Sequence, residues 1–454
     1  MHMDPVAARR LIAGEQVVHG IHILLTALEC WQNNIAAPPT SISCSFNNTV
    51  AVGERVVFAQ FAEADSQYTI EARVNGLLCT TISISVGPQI APKEAMANLP
   101  KARPDELTSF LGSLPQPLHE APGFHLDKHY AIKLNDGDFS ALFPESHRHL
   151  GWQGFASTAA LSYVVGMVCP GLHSVFSSLN IDLHPVAAAS DYVYFAVRKY
   201  DNRFHLFDIG FSGCIQGVIK AFIRPPPQIQ PSVKELSKTV GADEFKSTRS
   251  LIIGGSRGLG EVTAKILAAG GGDVVITYAY GLDDARVISN EINDTEGSQC
   301  HVCKFDLTAD PFSLIDVDWS TVNSVYFFAT PKIFRKKAAI FEPVLFQEFY
   351  QFYIDKFYGL CVFLEKTITT GKVKIYVPSS VSVEERPKGM AEYAMAKAAA
   401  EILIQEINRS FNNLTVLCTQ LPRLSTDQTA TIFKVQAVSN VETLLPVIRS
   451  MQKR

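Results

Sequence analysis

The chain lacks a surplus of either charge, a paired set of cysteines and any long hydrophobic run. Its 40 basic residues face 44 acidic ones, a formal net charge of −4 at pH 7. No basic surplus is available to neutralise phosphates or anionic lipid, so neither nucleic acid nor a membrane surface is an expected partner. The nine cysteines, at 30, 44, 79, 169, 214, 300, 303, 361 and 418, are odd in number and scattered, unlike a disulfide framework. The apolar stretch Ile21 to Leu28 is far short of the ~20 residues a spanning helix needs. No segment reads as a signal peptide. A reducing cytoplasm is the expected compartment.

Hydrophobic residues make up 47% of the chain and charged residues 19%, enough apolar material for sizeable cores. The 454 residues exceed one ordinary domain and suggest about three, at roughly 150 residues each. The one close cysteine pair is Cys300-His301-Val302-Cys303. Its spacing suggests redox or metal work, but the segment reads as a strand, where positions three apart face opposite sides. No second pair completes a tetrahedral zinc site, and no metal is expected.

Pro225-Pro226-Pro227, running on to Pro231, cannot sit in a helix or a central strand and predicts an extended linker over 225–247. From about Thr248, short strand candidates alternate with helix-length segments: Leu251–Gly254, Asp273–Thr277, His301–Phe305, Ser324–Phe328, Lys374–Val377 and Thr415–Cys418. That alternation predicts a doubly wound parallel sheet. The first 224 residues differ. A helix over about Glu15–Trp31 is followed by strands at Ser41–Phe46, Arg55–Phe61, Tyr68–Val74 and Cys79–Ser85. After a connection over Pro100–Phe124, a helix over about Ser157–Cys169 precedes strands at Ser174–Leu183, Tyr192–Lys199, Arg203–Ser212 and Cys214–Phe222. One helix and then several antiparallel strands, twice over, reads as a weak internal repeat in which Pro38–Val57 aligns with Pro170–Val193.

Gly254-Gly255-Ser256-Arg257-Gly258-Leu259-Gly260 follows an apolar strand and opens a helix. Such a turn lets backbone approach a pyrophosphate at a helix N-terminus. After the second strand stands Thr277-Tyr278-Ala279-Tyr280, with no acid until Asp283 to select a ribose hydroxyl. Arg257 could pair with a 2′-phosphate, so NADPH is expected over NADH. Ser380 closes a strand thirteen residues before Tyr393, and Tyr393 and Lys397 lie one helical turn apart. An ammonium there would favour tyrosinate, letting Tyr393 serve a carbonyl oxygen that Ser380 also binds.

Together these residues resemble the short-chain dehydrogenase/reductase family over about Thr248 to Val447. The resemblance implies a Rossmann domain over 248–454, catalysis by Ser380, Tyr393 and Lys397, and cofactor contacts from Gly254, Ser256, Arg257, Gly258 and Gly260 in the turn. It adds Tyr278, Asp306 and Leu307 beyond the second and third strands, Ala329 after the fourth, and Tyr393 and Lys397 again. Ile253 departs from the family's threonine, Phe328-Ala329-Thr330-Pro331 from its Asn-Asn-Ala-Gly, Lys356 from its helix asparagine, and Pro422-Arg423 from its Pro-Gly. The family's last strand has no counterpart before the chain's end.

His2-Met3-Asp4-Pro5, followed by Val17-Val18-His19-Gly20-Ile21-His22, resembles the MaoC-type hot-dog hydratases and dehydratases, whose antiparallel sheet wraps a central helix. The resemblance implies that His2 is the motif's histidine and that the Gly20 amide holds a thioester oxygen. The motif's aspartate would fall five residues before His2, ahead of Met1. A second, looser match is Asp136-Gly137-Asp138-Phe139-Ser140-Ala141-Leu142-Phe143-Pro144, with Phe143 at the histidine position and His147 and His149 nearby as loop residues. Trp152 to Leu161 would line an acyl pocket.

The expected fold is therefore a multidomain α/β and α+β chain: a first hot dog over 1–95, a connection over 96–130, a second hot dog over 131–224, the linker, and the Rossmann domain. The expected function is NADPH-dependent reduction of a 3-oxoacyl thioester, carried on coenzyme A or acyl carrier protein, coupled to dehydration or hydration between 3-hydroxyacyl and 2-enoyl thioesters. Two alternatives stand beside it, a reductase whose hot dogs only bind acyl groups, and a non-catalytic acyl-binding scaffold. Family analogy implies a homo-oligomer.

Overall fold

The computed structural model describes residues 4, 8, 10, 14–32, 37–64, 66–88, 107–110, 114, 116–134, 141–183, 190–335, 337–368, 371–431 and 437–452. They fall into two compact units, Met1–Pro226 with Thr431–Lys434, and Pro227–Ala430 with Val435–Arg454.

The first unit comprises α1 (Gly20–Glu29), β1 (Pro39–Phe46), β2 (Val57–Ala64), β3 (Gln67–Val74), β4 (Leu77–Val86), β5 (Leu107–Phe110), β6 (His129–Lys133), α2 (Pro144–Tyr163), β7 (Ser174–Asp182), β8 (Tyr192–Asp201), β9 (Leu206–Ser212) and β10 (Gln216–Ile223). All ten strands form one sheet in the order β2-β3-β4-β1-β7-β10-β9-β8-β6-β5. The neighbour order β1-β4-β3-β2 is repeated as β7-β10-β9-β8, so the repeat seen in the sequence is a repeat of topology. The two modules meet at an antiparallel β1·β7 seam that pairs Ile42 with Ile181 and Cys44 with Leu179.

Strand alternation sets which face is buried. In β3, Tyr68, Ile70, Ala72 and Val74 point inward, every second residue. Asn75 and Gly76 both have positive φ, the conformation of a two-residue hairpin turn, and return the chain into β4. Against this face lie α1, through Ile21, Leu24, Leu25 and Leu28, and α2, through Phe155 and Leu161. Each such fully buried side chain contributes about 1.5–3 kcal/mol.

Several boundaries differ from expectation. α2 begins at Pro144, well before Ser157, because its polar first half conceals the helix; a proline suits the first helical position. Gly151 interrupts it at φ 66°, and a π turn over Val164–Val168 extends it. β5 and β6 occupy part of the stretch expected as a connection over 96–130. β6 flanks β8, and no described strand flanks β2 in the corresponding place.

The second unit comprises α3 (Val233–Leu236), β11 (Arg249–Ile253), α4 (Gly258–Ala269), β12 (Asp273–Tyr278), α5 (Leu282–Asn293), β13 (Cys300–Lys304), β14 (Ser324–Phe327), α6 (Pro343–Tyr350), α7 (Phe357–Thr367), β15 (Val373–Ser380), α8 (Ser382–Glu385), α9 (Ala391–Ser410), β16 (Leu414–Leu421) and α10 (Asn440–Gln452). Its sheet runs β13-β12-β11-β14-β15-β16, with every pair parallel. All six predicted strands are present. Ile252 and Ile276 face α4 and α10 on one side, while Leu251 and Ile253 face α7 and α9 on the other. Cys300 joins the first of these cores and Cys303 the second, so the C-x-x-C thiols lie on opposite faces of the sheet. Among the described residues no group could hold a metal ion.

The extended linker expected over 225–247 is a shorter feature. From Pro227 onward the chain packs into the second unit. Ser232 and Glu235 form a capping box that starts α3, and Val233, Leu236, Val240 and Phe245 enter the core. The charged residues around them hid that amphipathic pattern. No described helix is long and apolar enough to cross a membrane.

Candidate active site

β11 and β14 are neighbours from which the sheet's connections run in opposite directions, and ligands bind such sheets beyond the carboxyl ends of these strands. The glycine turn sits there. Gly254 has φ 83°, a region that disfavours any side chain, and an added Cβ would come 2.9 Å from the Ala329 nitrogen. A Cβ on Gly260 would collide with the Gly254 carbonyl oxygen, so glycine lets α4 start directly against the turn. The Gly254 amide donates to Thr277 Oγ1 at 3.0 Å and the Gly255 amide to the Thr277 carbonyl at 3.0 Å, tying the turn to β12. α4 receives no side-chain cap from Arg257. These features fit a pyrophosphate-bearing nucleotide.

Ser380 ends β15, and Tyr393 and Lys397 project from one face of α9. Both helix residues are buried. The Lys397 amine donates to the Pro378 carbonyl at 2.7 Å. Burial, opposed by Cys418 and Glu401, lowers its pKa to about 7. Burial also pushes the Tyr393 phenol up to about 12, a rise tempered by its hydrogen bond with Ser380. The expected depression of the phenol by the neighbouring ammonium is thus overturned in this state. Desolvation is the largest influence on the phenol, and Lys397 Nζ lies 5.9 Å from the Tyr393 ring centroid.

The nearer ring is Tyr353, whose centroid lies 3.7 Å from Lys397 Nζ. Tyr353 is buried on the π turn Gln351–Lys356 between α6 and α7, and its hydroxyl pairs with Thr330 Oγ1. An extra residue in that turn shifts the helix register, presenting Tyr353 to the amine. The sequence singled out Lys356 in this helix, and nothing in the motif spacing pointed to Tyr353. Glu392, beside the tyrosine, is buried and ion-paired with Lys337, and also accepts the Glu342 amide. This pair anchors the segment after β14 to the start of α9. The sequence offered no signal for it, since 55 residues separate the partners.

The residues expected on the adenosine side are partly committed elsewhere. Arg257 Nη1 lies 3.9 Å from Asp427 Oδ2. Asp306 accepts the Thr308 amide at 2.9 Å and hydroxyl at 2.7 Å, while Tyr280 donates to its other oxygen at 3.3 Å. Tyr278 ends β12 half-buried, and Leu307 is buried. Ser256 is buried in the turn, and Gly258 follows at φ 58°.

Residues 249–437 match the family model described as short chain dehydrogenase. The C-terminal unit carries a short-chain dehydrogenase/reductase domain. Among solved structures, the chain is similar to FolM alternative dihydrofolate reductase 1 from Brucella canis complexed with NADP, at 16% identity over 46% of this chain and 90% of that one, with a TM-score of 0.39. It is similar to a short-chain dehydrogenase from Sphingobium yanoikuyae in complex with NADPH, at 15% identity over 44% and 82%, with a TM-score of 0.38. A short chain dehydrogenase from Salmonella enterica serovar Typhi shares 16% identity over 49% and 93%, with a TM-score of 0.40. The curated proteins hold no match.

Outside the short-chain dehydrogenase/reductase domain, His2 and residues 136–140 of the looser motif lie outside the described residues. Gly20 opens α1, where an added Cβ would come 2.7 Å from the Phe46 ring. Packing against Phe46 is reason enough for glycine here. The two helix starts differ. α1 has no side-chain cap and no acid in its first turn. The start of α2 is occupied by Glu29, which accepts the Glu145 and Ser146 amides, each at 3.0 Å. His147 and His149 are helical residues packed on Phe155 and Trp31, not the loop residues expected. Phe155 and Leu161 are buried in the core, and Trp152 lies on the exposed side.

Proposed function

We propose that the short-chain dehydrogenase/reductase domain reduces the ketone of a 3-oxoacyl thioester with NADPH. The observation that carries this reading is the grouping of Ser380 and Lys397 around Tyr393, with Ser380 at the carboxyl end of β15 and the glycine turn at the carboxyl end of β11 in the same parallel sheet. Gly254, Ser256, Gly258 and Gly260 would hold the pyrophosphate, Ala329 would lie along the nucleotide, and Arg257 would take the 2′-phosphate. The bound nucleotide supplies the reducing equivalent. Ser380 donates a hydrogen bond to the carbonyl oxygen, and Tyr393, a neutral acid at physiological pH, delivers the proton to it. Lys397, with a pKa near 7, is poised to return that proton to the phenol.

The acyl group would arrive on coenzyme A or acyl carrier protein. The domain would act as a homo-oligomer.

A second reading, that the first unit is a double hot dog which hydrates or dehydrates the acyl thioester, is supported by the repeated strand order around two central helices. The contrast between the helix starts favours Gly20 as the thioester-binding end, since Glu29 fills the equivalent place on α2.

The test is mass analysis of the full chain given NADPH and a short 3-oxoacyl thioester. A 3-hydroxyacyl product is expected, with Tyr393→Phe lowering the rate at least about 100-fold. An enoyl product would add the second activity. No reduced product, or a Tyr393→Phe variant with the native rate, would sink the reductase reading.

A further inference from the structure

The first unit buries a positive charge that no described residue in it neutralises. Arg224 directly follows β10 and is only 8% exposed. Among the described residues its guanidinium has no ion-pair or hydrogen-bond partner, and burial alone lowers its pKa, to about 10. A buried ion without a counter-charge is strongly disfavoured, so a fold that keeps one has a use for it.

The surroundings of Arg224 point to what completes it. Its backbone amide donates to the His173 carbonyl at 2.9 Å, which places the two residues side by side. His173 is buried at φ 70°, and its Nδ1 has no hydrogen-bond partner. Burial, then the charges of Arg224 and His119, lower the His173 pKa to about 4, so its ring is neutral near pH 7 and can donate from either nitrogen according to tautomer. The His119 ring meets it edge-on, with centroids 5.4 Å apart and planes at 85°. His119 itself is exposed, so the group opens to solvent.

A cation is excluded by the guanidinium, and no described group could hold a metal ion. The adjacent carboxylate, Glu120, is exposed and acts on Tyr130 rather than on Arg224. What fits is an anion from solution. A guanidinium offers a planar fork, and the two imidazoles stand nearly perpendicular to one another. Donors converging from several planes suit a tetrahedral oxyanion better than a flat carboxylate.

We propose that Arg224, His173 and His119 form a binding site for a phosphate-class anion, either free phosphate or a phosphomonoester, separate from the reductase chemistry. The site is tested by titrating the full chain with inorganic phosphate and, in a parallel arm, with glycerol 3-phosphate, against chloride at matched ionic strength. Heat of binding and thermal midpoint are followed together. Saturable heat and a midpoint raised by a few degrees are expected. Tighter binding in one arm identifies the source of the anion. Arg224→Met should weaken affinity at least tenfold, and its midpoint in phosphate-free buffer should equal or exceed that of the native chain, because an unpaired buried charge is gone. His173→Asn, which tolerates positive φ, should also lose at least half of the phosphate-dependent rise and keeps the test decisive should Arg224→Met fail to fold. Absence of saturable binding to either ligand, or native affinity in both variants, overturns the proposal.

Discussion

Lys397 Nζ stands 3.7 Å from the centroid of the Tyr353 ring while donating to the Pro378 carbonyl. The aromatic face and the carbonyl dipole are what this buried amine has in place of water. Both favour the ammonium over the free amine, against the pull of burial.

Replacing that ring should therefore move the amine's titration downward. Tyr353→Leu is expected to lower the pKa of Lys397 by about one and a half units, since a desolvated cation–π contact contributes about 2 kcal/mol. Tyr353→Phe keeps the ring and should keep the pH profile. The pH dependence of the single-turnover reduction rate checks both, and identical profiles for all three proteins would remove Tyr353 from the site's electrostatics.

The same amine makes stability depend on pH. Burial lowers Lys397 from 10.5 to about 7, so between these values the unfolded chain binds more protons than the folded one. Stability should rise with pH across that window, by on the order of a few kcal/mol in total. Lys397→Met should flatten the rise, as measured by urea denaturation at pH 7, 8.5 and 10. A slope that survives the substitution would assign it to another group.

Glu392 and Lys337 form a buried pair at the start of α9. Glu392→Gln leaves the Lys337 ammonium without its counter-charge and is expected to cost about 3–5 kcal/mol. Burial works to raise the Glu392 carboxyl, but Lys337 and the Glu342 amide outweigh it and hold it below its ordinary 4.5. The pair's contribution is therefore present above pH 4.5 and lost as pH falls through the lower folded value. Denaturation midpoints of native and variant chains should converge in strong acid.

Arg257 Nη1 lies 3.9 Å from Asp427 Oδ2, so under the proposed reading Asp427 would compete with a 2′-phosphate for it. Asp427→Asn keeps an acceptor for the Gln228 amide, which donates to Asp427 Oδ1 at 2.7 Å. The variant is expected to gain about threefold to tenfold in NADPH affinity with no change for NADH. Fluorescence titration with both nucleotides decides it, and an equal gain for both would mean that Arg257 does not read the 2′-phosphate.

The second unit was largely legible because its information is local. A strand, a glycine turn and a helix follow one another directly around Gly254, and Tyr393 and Lys397 share a helix face. What escaped was whatever depends on long-range approach: Tyr353 against Lys397, Lys337 against Glu392, Asp427 against Arg257. In the first unit the strands followed from period-two alternation, but the polar first half of α2 masked its start at Pro144. The sequence also suggested two separate sheets, since no residue pattern announces that β1 will pair with β7.

That pairing has a consequence for fragments of the chain. The two modules present β1 and β7 to one another in antiparallel register, with Ser43 Oγ donating to Asn180 Oδ1 at 2.7 Å across the seam. Among the described strands, β2 and β5 stand at the sheet's margins. A polypeptide cut between the modules would bare a strand edge at the middle of the sheet, with its amides and carbonyls unsatisfied. Because an antiparallel seam joins two surfaces of like construction, the simplest repair for a lone first module is to pair β1 with β1 of another molecule, so the severed piece would be sticky toward its own kind.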